Sequence, residues 1–359
     1  MRGFLIVAVL AAAGYGAWKL GWSGGEAAVP ATEQRTAESL PALPSAPNTT
    51  NGEAAASRAA TPVIPAPLTN PAPAVALDQA LAAEVQAAEQ TWAALAAAGT
   101  DPVVSDKAPA LARSFTKAYR AMRNQPAHAA ERQRLHDSYL AALGARLLLS
   151  PQRYPDDGSG LFAEHAIVSG DRLDPIGRAH GMSYQYINIL RGRKDAEDGN
   201  LRVGERLKLV NAKTLGYELI ADKSDFTMDL YVCGVFAKRY PIGIGAAVSE
   251  TPTGTTFIEV REKHPAWTPP EGGPAVPYGD PRHIIGPVWL RLNSAGIGKD
   301  GIGIHGYTGQ GPAVGDKLSN GCIRMRNEDA IEVFNIMTPC ETTATGFITR
   351  APMTVIIEE

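Results

Sequence analysis

Gly24 to Pro73 cannot build a core, and that stretch divides the chain. It is rich in Pro, Ala, Thr, Ser and Asn and lacks apolar periodicity, so burial there cannot offset the entropy of ordering the backbone. Residues 23–74 are expected to be a disordered tether. Ahead of it, Phe4 to Trp18 forms an apolar run behind Arg2. The run falls short of the ~20 residues of a membrane span and fits the apolar part of an export signal. Ala11-Ala12-Ala13 offers small residues for cleavage. Alternatively, Lys19 snorkels while Tyr15, Trp18 and Trp22 sit at a membrane interface. Residues 1–22 are therefore a signal peptide or, the favoured reading, an uncleaved anchor, and the remainder is exported.

After the tether the hydrophobic period changes twice. Over residues 75–150 apolar side chains recur at three- and four-residue steps: Leu77, Leu81, Val85, Trp92 and Leu95, then Leu111, Phe115, Tyr119 and Met122, then Leu135, Tyr139, Leu143 and Leu147. These predict three amphipathic helices, a spacer with its own core. Arg132, Arg134 and Arg146 are expected on its solvated face. Residues 164–210 read as strand, helix, helix, strand, with Ser183 capping the second helix. From residue 216 short strands dominate. Phe226, Met228, Leu230 and Val232 alternate with Thr227, Asp229 and Tyr231, the period of a half-buried strand. Cys233-Gly234 stands where a hairpin must turn. A helix is expected from Asn327 to Met337 and a closing strand from Met353 to Glu358. The fold class is a multidomain α+β chain: an N-terminal helical segment, a small βααβ unit and a β-sandwich-like C-terminal domain. A net charge of −3 and a pI near 6.2 give no electrostatic footprint for nucleic acid.

The chemistry concentrates in the last domain. Cys322 lies in Ser319-Asn320-Gly321-Cys322-Ile323-Arg324-Met325, and His305 in Gly303-Ile304-His305-Gly306. A thiolate is a strong nucleophile, and an imidazole can take and return its proton. Flanking glycines let backbone N–H groups approach a reacting carbonyl. No metal-ligand spacing appears in this domain. His264 and His283 flank a Pro- and Gly-rich loop and read as loop residues. Tyr278 and Trp289 are candidates for a substrate groove or for the core.

Ile-His-Gly, a variable loop and then Ser-x-Gly-Cys-Ile-Arg resemble the signature of the L,D-transpeptidases, the cysteine enzymes that cross-link peptidoglycan. Pro241-Ile242-Gly243-Ile244-Gly245, Thr251-Pro252-Thr253-Gly254-Thr255, Trp267-Thr268-Pro269-Pro270 and Met325-Arg326-Asn327-Glu328-Asp329-Ala330 are similar to further segments of that family. The resemblance covers residues 216–359. It implies a Cys322 nucleophile and a His305 base oriented by the Gly306 carbonyl, with an oxyanion hole from the N–H groups of Gly321 and Cys322. Ser319, Asn320 and Arg324 become substrate-side candidates, Arg324 for a stem-peptide carboxylate. Many members carry His where Asn320 stands, which leaves His305 as the sole imidazole candidate.

The implied reaction needs no cofactor and no metal. A tetrapeptide stem acylates Cys322, D-alanine leaves, and the side-chain amine of a second stem completes a 3→3 cross-link. Water as acceptor would make the protein an L,D-carboxypeptidase or endopeptidase, and a protein lysine would make it a tethering enzyme. A silent, wall-binding scaffold is the non-enzymatic alternative. Carbapenem β-lactams are the implied inhibitors. Residues 164–210, with Gly170-Asp171 near the front and Val203-Gly204-Glu205-Arg206-Leu207 near the end, resemble a lysin motif, a binder of N-acetylglucosamine-containing glycans. It departs from the family at Leu190-Arg191-Gly192-Arg193. The expected partners are peptidoglycan stem peptides and glycan strands, with no nucleic acid and with membrane contact only through residues 1–22. The expected location is the cell envelope or periplasm. An exported location also permits a Cys233–Cys340 disulfide.

Overall fold

A computed structural model describes residues 78–336, 340–343, 346–349 and 353–359. The tether and the N-terminal apolar run lie outside them. Among the described residues no helix is long and apolar enough to cross a membrane.

Asp78 caps helix α1 (Gln79–Ala97) by accepting from the Ala80 N–H. Helix α2 (Ala108–Ala121) follows. Helix α3 (Ala129–Leu135) then runs through a π turn, His136–Leu140, into α4 (Ala141–Leu148). Next come β1 (Phe162–Ala166), α5 (Leu173–His180), α6 (Tyr184–Leu190) and β2 (Arg206–Val210). β1 and β2 pair antiparallel, and Ser183 caps α6 by accepting from the Tyr186 N–H. A short α7 (Ala212–Leu215) leads to the sheet strands β3 (Tyr217–Asp222), β4 (Thr227–Val232), β5 (Val235–Pro241), β6 (Ile244–Gly245), β7 (Gly254–Lys263), β8 (Val288–Leu292) and β9 (Gly303–His305). β10 (Lys317–Ser319), β11 (Ile323–Arg324), α8 (Asn327–Ile336), β12 (Cys340–Thr343), β13 (Gly346–Thr349) and β14 (Thr354–Glu358) complete it.

Ten of these strands form one curled, mixed sheet along the path β11-β9-β8-β7-β14-β3-β4-β5, with β13 added on β7 and β12 on β13, while β6 and β10 pair with each other in parallel outside it. The sandwich expected from strand count is thus one continuous hydrogen-bonded path. Its interior holds Leu219, Leu230, Ile258, Leu290, Ile304 and Val355, all buried. Cys233 and Gly234 make the tight β4–β5 turn, both with positive φ. Cys233 is a free, buried thiol and makes no bridge. The side chain of Cys340 lies outside the described residues.

The helical segment is no independent spacer. Its core is continuous with that of the sheet. At Gly144 in α4, an added Cβ would lie 2.4 Å from the Ala237 carbonyl oxygen and 2.7 Å from that of Phe236, so the helix rests directly on the backbone of β5. The Phe236 N–H donates to Thr116 Oγ1 of α2 at 3.1 Å. The second face of β4, read as solvated from its alternation, is therefore buried as well.

Asp229 on that face accepts from Tyr119 Oη at 2.6 Å and from Arg239 Nε at 2.8 Å. Arg132 completes the cluster, 3.8 Å from Asp229 and 3.6 Å from Asp222. Arg132 is buried rather than solvated because its counter-ions sit on the sheet and not on its own helix. Arg134 and Arg146 are exposed as expected.

The βααβ unit is anchored too. The buried Lys208 ammonium donates to the carbonyls of Leu147, Ser150 and Gln152 at 2.6, 3.1 and 2.5 Å, at and beyond the C-terminus of α4. Burial and then the nearby Arg153 push its pKa down to about 7. The three carbonyls oppose this, since together they use all three N–H bonds of the ammonium form. Tyr217 Oη donates to the Gly181 carbonyl at 3.0 Å, tying the unit to β3.

Candidate active site

Cys322 and His305 reach one cleft because β9 and β11 are parallel neighbours. Ile323 pairs with Ile304, and Arg324 with His305. Side chains alternate faces along a strand, so Cys322, Arg324 and His305 share a face. All three line a cavity of about 410 Å³ together with Trp267, Trp289 and Glu262.

The turn before the thiol is built by Ser319. Its buried hydroxyl donates to the Cys322 carbonyl at 2.6 Å and accepts from the Gly321 N–H at 3.2 Å. Gly321 has φ near +108°, and an added Cβ would lie 2.8 Å from Lys299 Nζ and 2.9 Å from Ile302 Cδ1. Any other residue there would strain the backbone and displace the ends of those two side chains. The Cys322 thiol donates to the Gly301 carbonyl at 3.7 Å.

His305 is buried, and its Nδ1 hydrogen-bonds the Gly306 carbonyl. The Trp289 ring lies 5.4 Å from the imidazole, tilted by 32°. Arg324 stacks its guanidinium 4.1 Å from the Tyr307 ring centre, and its Nε is buried without a hydrogen-bond partner.

Burial pushes the His305 pKa down to about 4, with Arg324 adding to it and the carbonyls of Gly306 and Ile285 opposing. Burial also raises the Cys322 thiol, against the Gly303 N–H, Arg324 and Lys299. The resting pair is therefore neutral thiol and neutral imidazole, not an ion pair. His305 can accept the proton as sulfur attacks and release it readily, because the imidazolium is disfavoured in this site. Alkylation of Cys322 by iodoacetamide should rise about tenfold per pH unit from pH 7 to 9 without levelling. A plateau already reached at pH 7, read by intact mass, would mean a stable thiolate–imidazolium pair instead.

The structure gathers most of the expected residues and separates one. Gly306 and Gly321 flank the pair, and Ser319, Asn320, Arg324 and Trp289 line the cleft. The Ser319 hydroxyl is consumed within the turn, and Asn320 is exposed on the rim. Tyr278 does not line the cleft, because its ring stacks on His264 at 4.3 Å and stays exposed.

Sequence reading missed Glu262, Lys299 and Asn327. Asn327 opens α8, and its Oδ1 accepts from the Tyr307 N–H at 2.9 Å, holding the backbone just past His305. Its local signals were an Asn at a helix start and its place in the segment Met325 to Ala330, neither of which gives it this role. Among the described residues no set of three His, Cys, Asp or Glu side chains converges on a metal position.

Residues 216–357 match the YkuD family, the L,D-transpeptidase catalytic domain. The chain is 33% identical over 176 residues to the Bacillus subtilis protein YkuD, named as an L,D-transpeptidase, covering 48% of this chain and 92% of that protein. It is 26% identical to the Escherichia coli protein YbiS, similarly named, over 49% of this chain and 61% of that one. Among solved structures it is similar to an L,D-transpeptidase from Mycobacterium smegmatis at 17% identity and a TM-score of 0.30, over 44% of this chain and 65% of that one. That last likeness adds no weight. The match to YkuD, at one residue in three over nearly all of that protein's length, makes this chain a member of the L,D-transpeptidase family.

Proposed function

We propose that this transpeptidase forms 3→3 cross-links in peptidoglycan through a thioester on Cys322. The observation that carries the reading is the parallel β9–β11 register, which turns Cys322 and His305 into one cleft. A stem tetrapeptide enters with its penultimate carbonyl at the thiol. As sulfur attacks, the proton passes to His305, whose other nitrogen is fixed on the Gly306 carbonyl. The Gly321 N–H is shared with Ser319 Oγ, so the Cys322 N–H is the main donor to the developing oxyanion. Collapse expels D-alanine, which takes the proton from His305, and leaves the acyl group on Cys322. The side-chain amine of a second stem then attacks with His305 again as base. Arg324, unpartnered at Nε, receives the carboxylate of the leaving D-alanine.

In the same reading residues 164–210 are a lysin motif that holds glycan, supported by their strand-helix-helix-strand order. The enzyme works in the cell envelope, exported by residues 1–22.

The test is the full chain incubated with disaccharide-tetrapeptide. Cross-linked dimer, together with an acyl adduct on the protein, is the expected result. A carbapenem should leave a similar adduct. Trimmed monomer alone would replace transfer by hydrolysis, and neither product nor adduct would overturn the reading.

A further inference from the structure

Strand register aligns four side chains that the sequence scatters over more than sixty positions. Glu262 on β7 pairs with Trp289 on β8, Trp289 with His305 on β9, and His305 with Arg324 on β11. Directly paired residues project to the same face, and all four line the catalytic cavity. The row is thus a ruler across the site, with a carboxylate at one end, a guanidinium at the other, and tryptophan and the histidine base between.

Both end charges lack partners of their own. Among the described residues the Glu262 side chain makes no hydrogen bond or ion pair, although the residue is half-buried. Arg324 has its Nε buried and unsatisfied. Among the described residues Glu262 is the only carboxylate lining the cavity. A half-buried carboxylate with no partner in a cleft is a site for a cation.

We infer that Glu262 selects the donor, by binding the side-chain ammonium of the stem's diamino acid. This rests on the transpeptidase reading above and names a recognition element within that site. The spacing supports it. Three strand-to-strand steps of ~4.8 Å separate Glu262 from Arg324 by ~14 Å at the backbone. In an extended donor, nine bonds run from the carboxylate carbon of the terminal D-alanine to an amine on the fourth side-chain carbon of the diamino acid. That is ~11 Å at ~1.25 Å per bond, with a hydrogen-bond length to add at each end. With the D-alanine carboxylate on Arg324, the scissile carbonyl falls near Cys322 and His305, and the ammonium falls at Glu262. The aliphatic stem between them crosses Trp289, an apolar surface suited to methylenes. Because the bound ammonium is remote from the thioester, Glu262 acts on the donor and not on the attacking amine.

The test is D-alanine release by the full chain from two tetrapeptides that differ only in the diamino-acid side chain, its amine either free or N-acetylated. Glycinamide at one fixed excess serves as common acceptor. Wild type should favour the free amine by about tenfold in kcat/KM, and the preference should shrink with added salt. Glu262→Gln keeps the shape of the side chain. It should lower kcat/KM about tenfold on the free-amine donor and less than twofold on the acetylated one. Equal rates of wild type on both donors would overturn the inference, and so would an equal fall of the variant on both, which marks a structural role. If wild type releases D-alanine from neither donor, the transpeptidase reading itself fails, and the inference falls with it.

Discussion

Cys322→Ala should lower turnover of a tetrapeptide donor by at least about 10⁴-fold while leaving the fold intact. The substitution removes only sulfur, at a position whose surroundings are fixed by backbone: the Ser319 hydroxyl on the Cys322 carbonyl and the parallel pairing of β11 with β9. Cys233 cannot substitute, since it is buried in the β4–β5 turn and burial pushes its pKa up to about 12. His305→Ala should cost about 10³- to 10⁴-fold, the scale of a lost general base. The two act on the same proton, so the double variant should be no slower than Cys322→Ala alone. Rates of dimer formation and circular dichroism of the three variants check this. Substantial cross-linking by either single variant would remove the pair from the mechanism.

Asp229→Ala should lower stability by about 3 to 5 kcal/mol, measured by urea unfolding. Asp229 is 3% exposed and is the acceptor shared by Tyr119 and Arg239, with Arg132 close by. Removing it leaves two guanidinium groups beside each other under the helices, with only Asp222 near Arg132. The Tyr119 hydroxyl, whose pKa is already pushed up by burial and by Asp229, would lose its acceptor. Replacing the pair together, Asp229→Leu with Arg239→Met, should recover part of the loss because only Arg132 keeps its charge there and it still faces Asp222. A single-variant loss under about 1 kcal/mol would mean that water reaches the cluster.

That Cys322 and His305 share one cleft was legible because each sits in a short local motif whose glycines and hydroxyl shape a turn. The helices of residues 79–148, α8 and the β4–β5 turn were legible for the same reason: their signals span a few neighbouring residues. What escaped depends on pairing across distance. Glu262 belongs to the site only through the register of four strands, and nothing around residue 262 announces it. Arg132 reads as a surface residue on its own helix and finds its acids on β3 and β4. Asp229 and Tyr231 alternate as a wet face would, yet α2 to α4 cover that face. Tyr278 was a fair candidate by type, but a loop that folds back onto His264 takes it out of reach.

The helices resting on β5 bear on where this protein can be divided. The boundary of family likeness near residue 216 is not a boundary of folding. A fragment begun there would present the β5 edge as bare backbone donors and acceptors, along with a sheet face carrying Asp229 and Tyr231 made to lie beneath helices. Such an edge is a template for strands from other copies. The helical segment is thus the catalytic domain's own cover, and a shortened chain would be expected to self-associate before its chemistry could be judged.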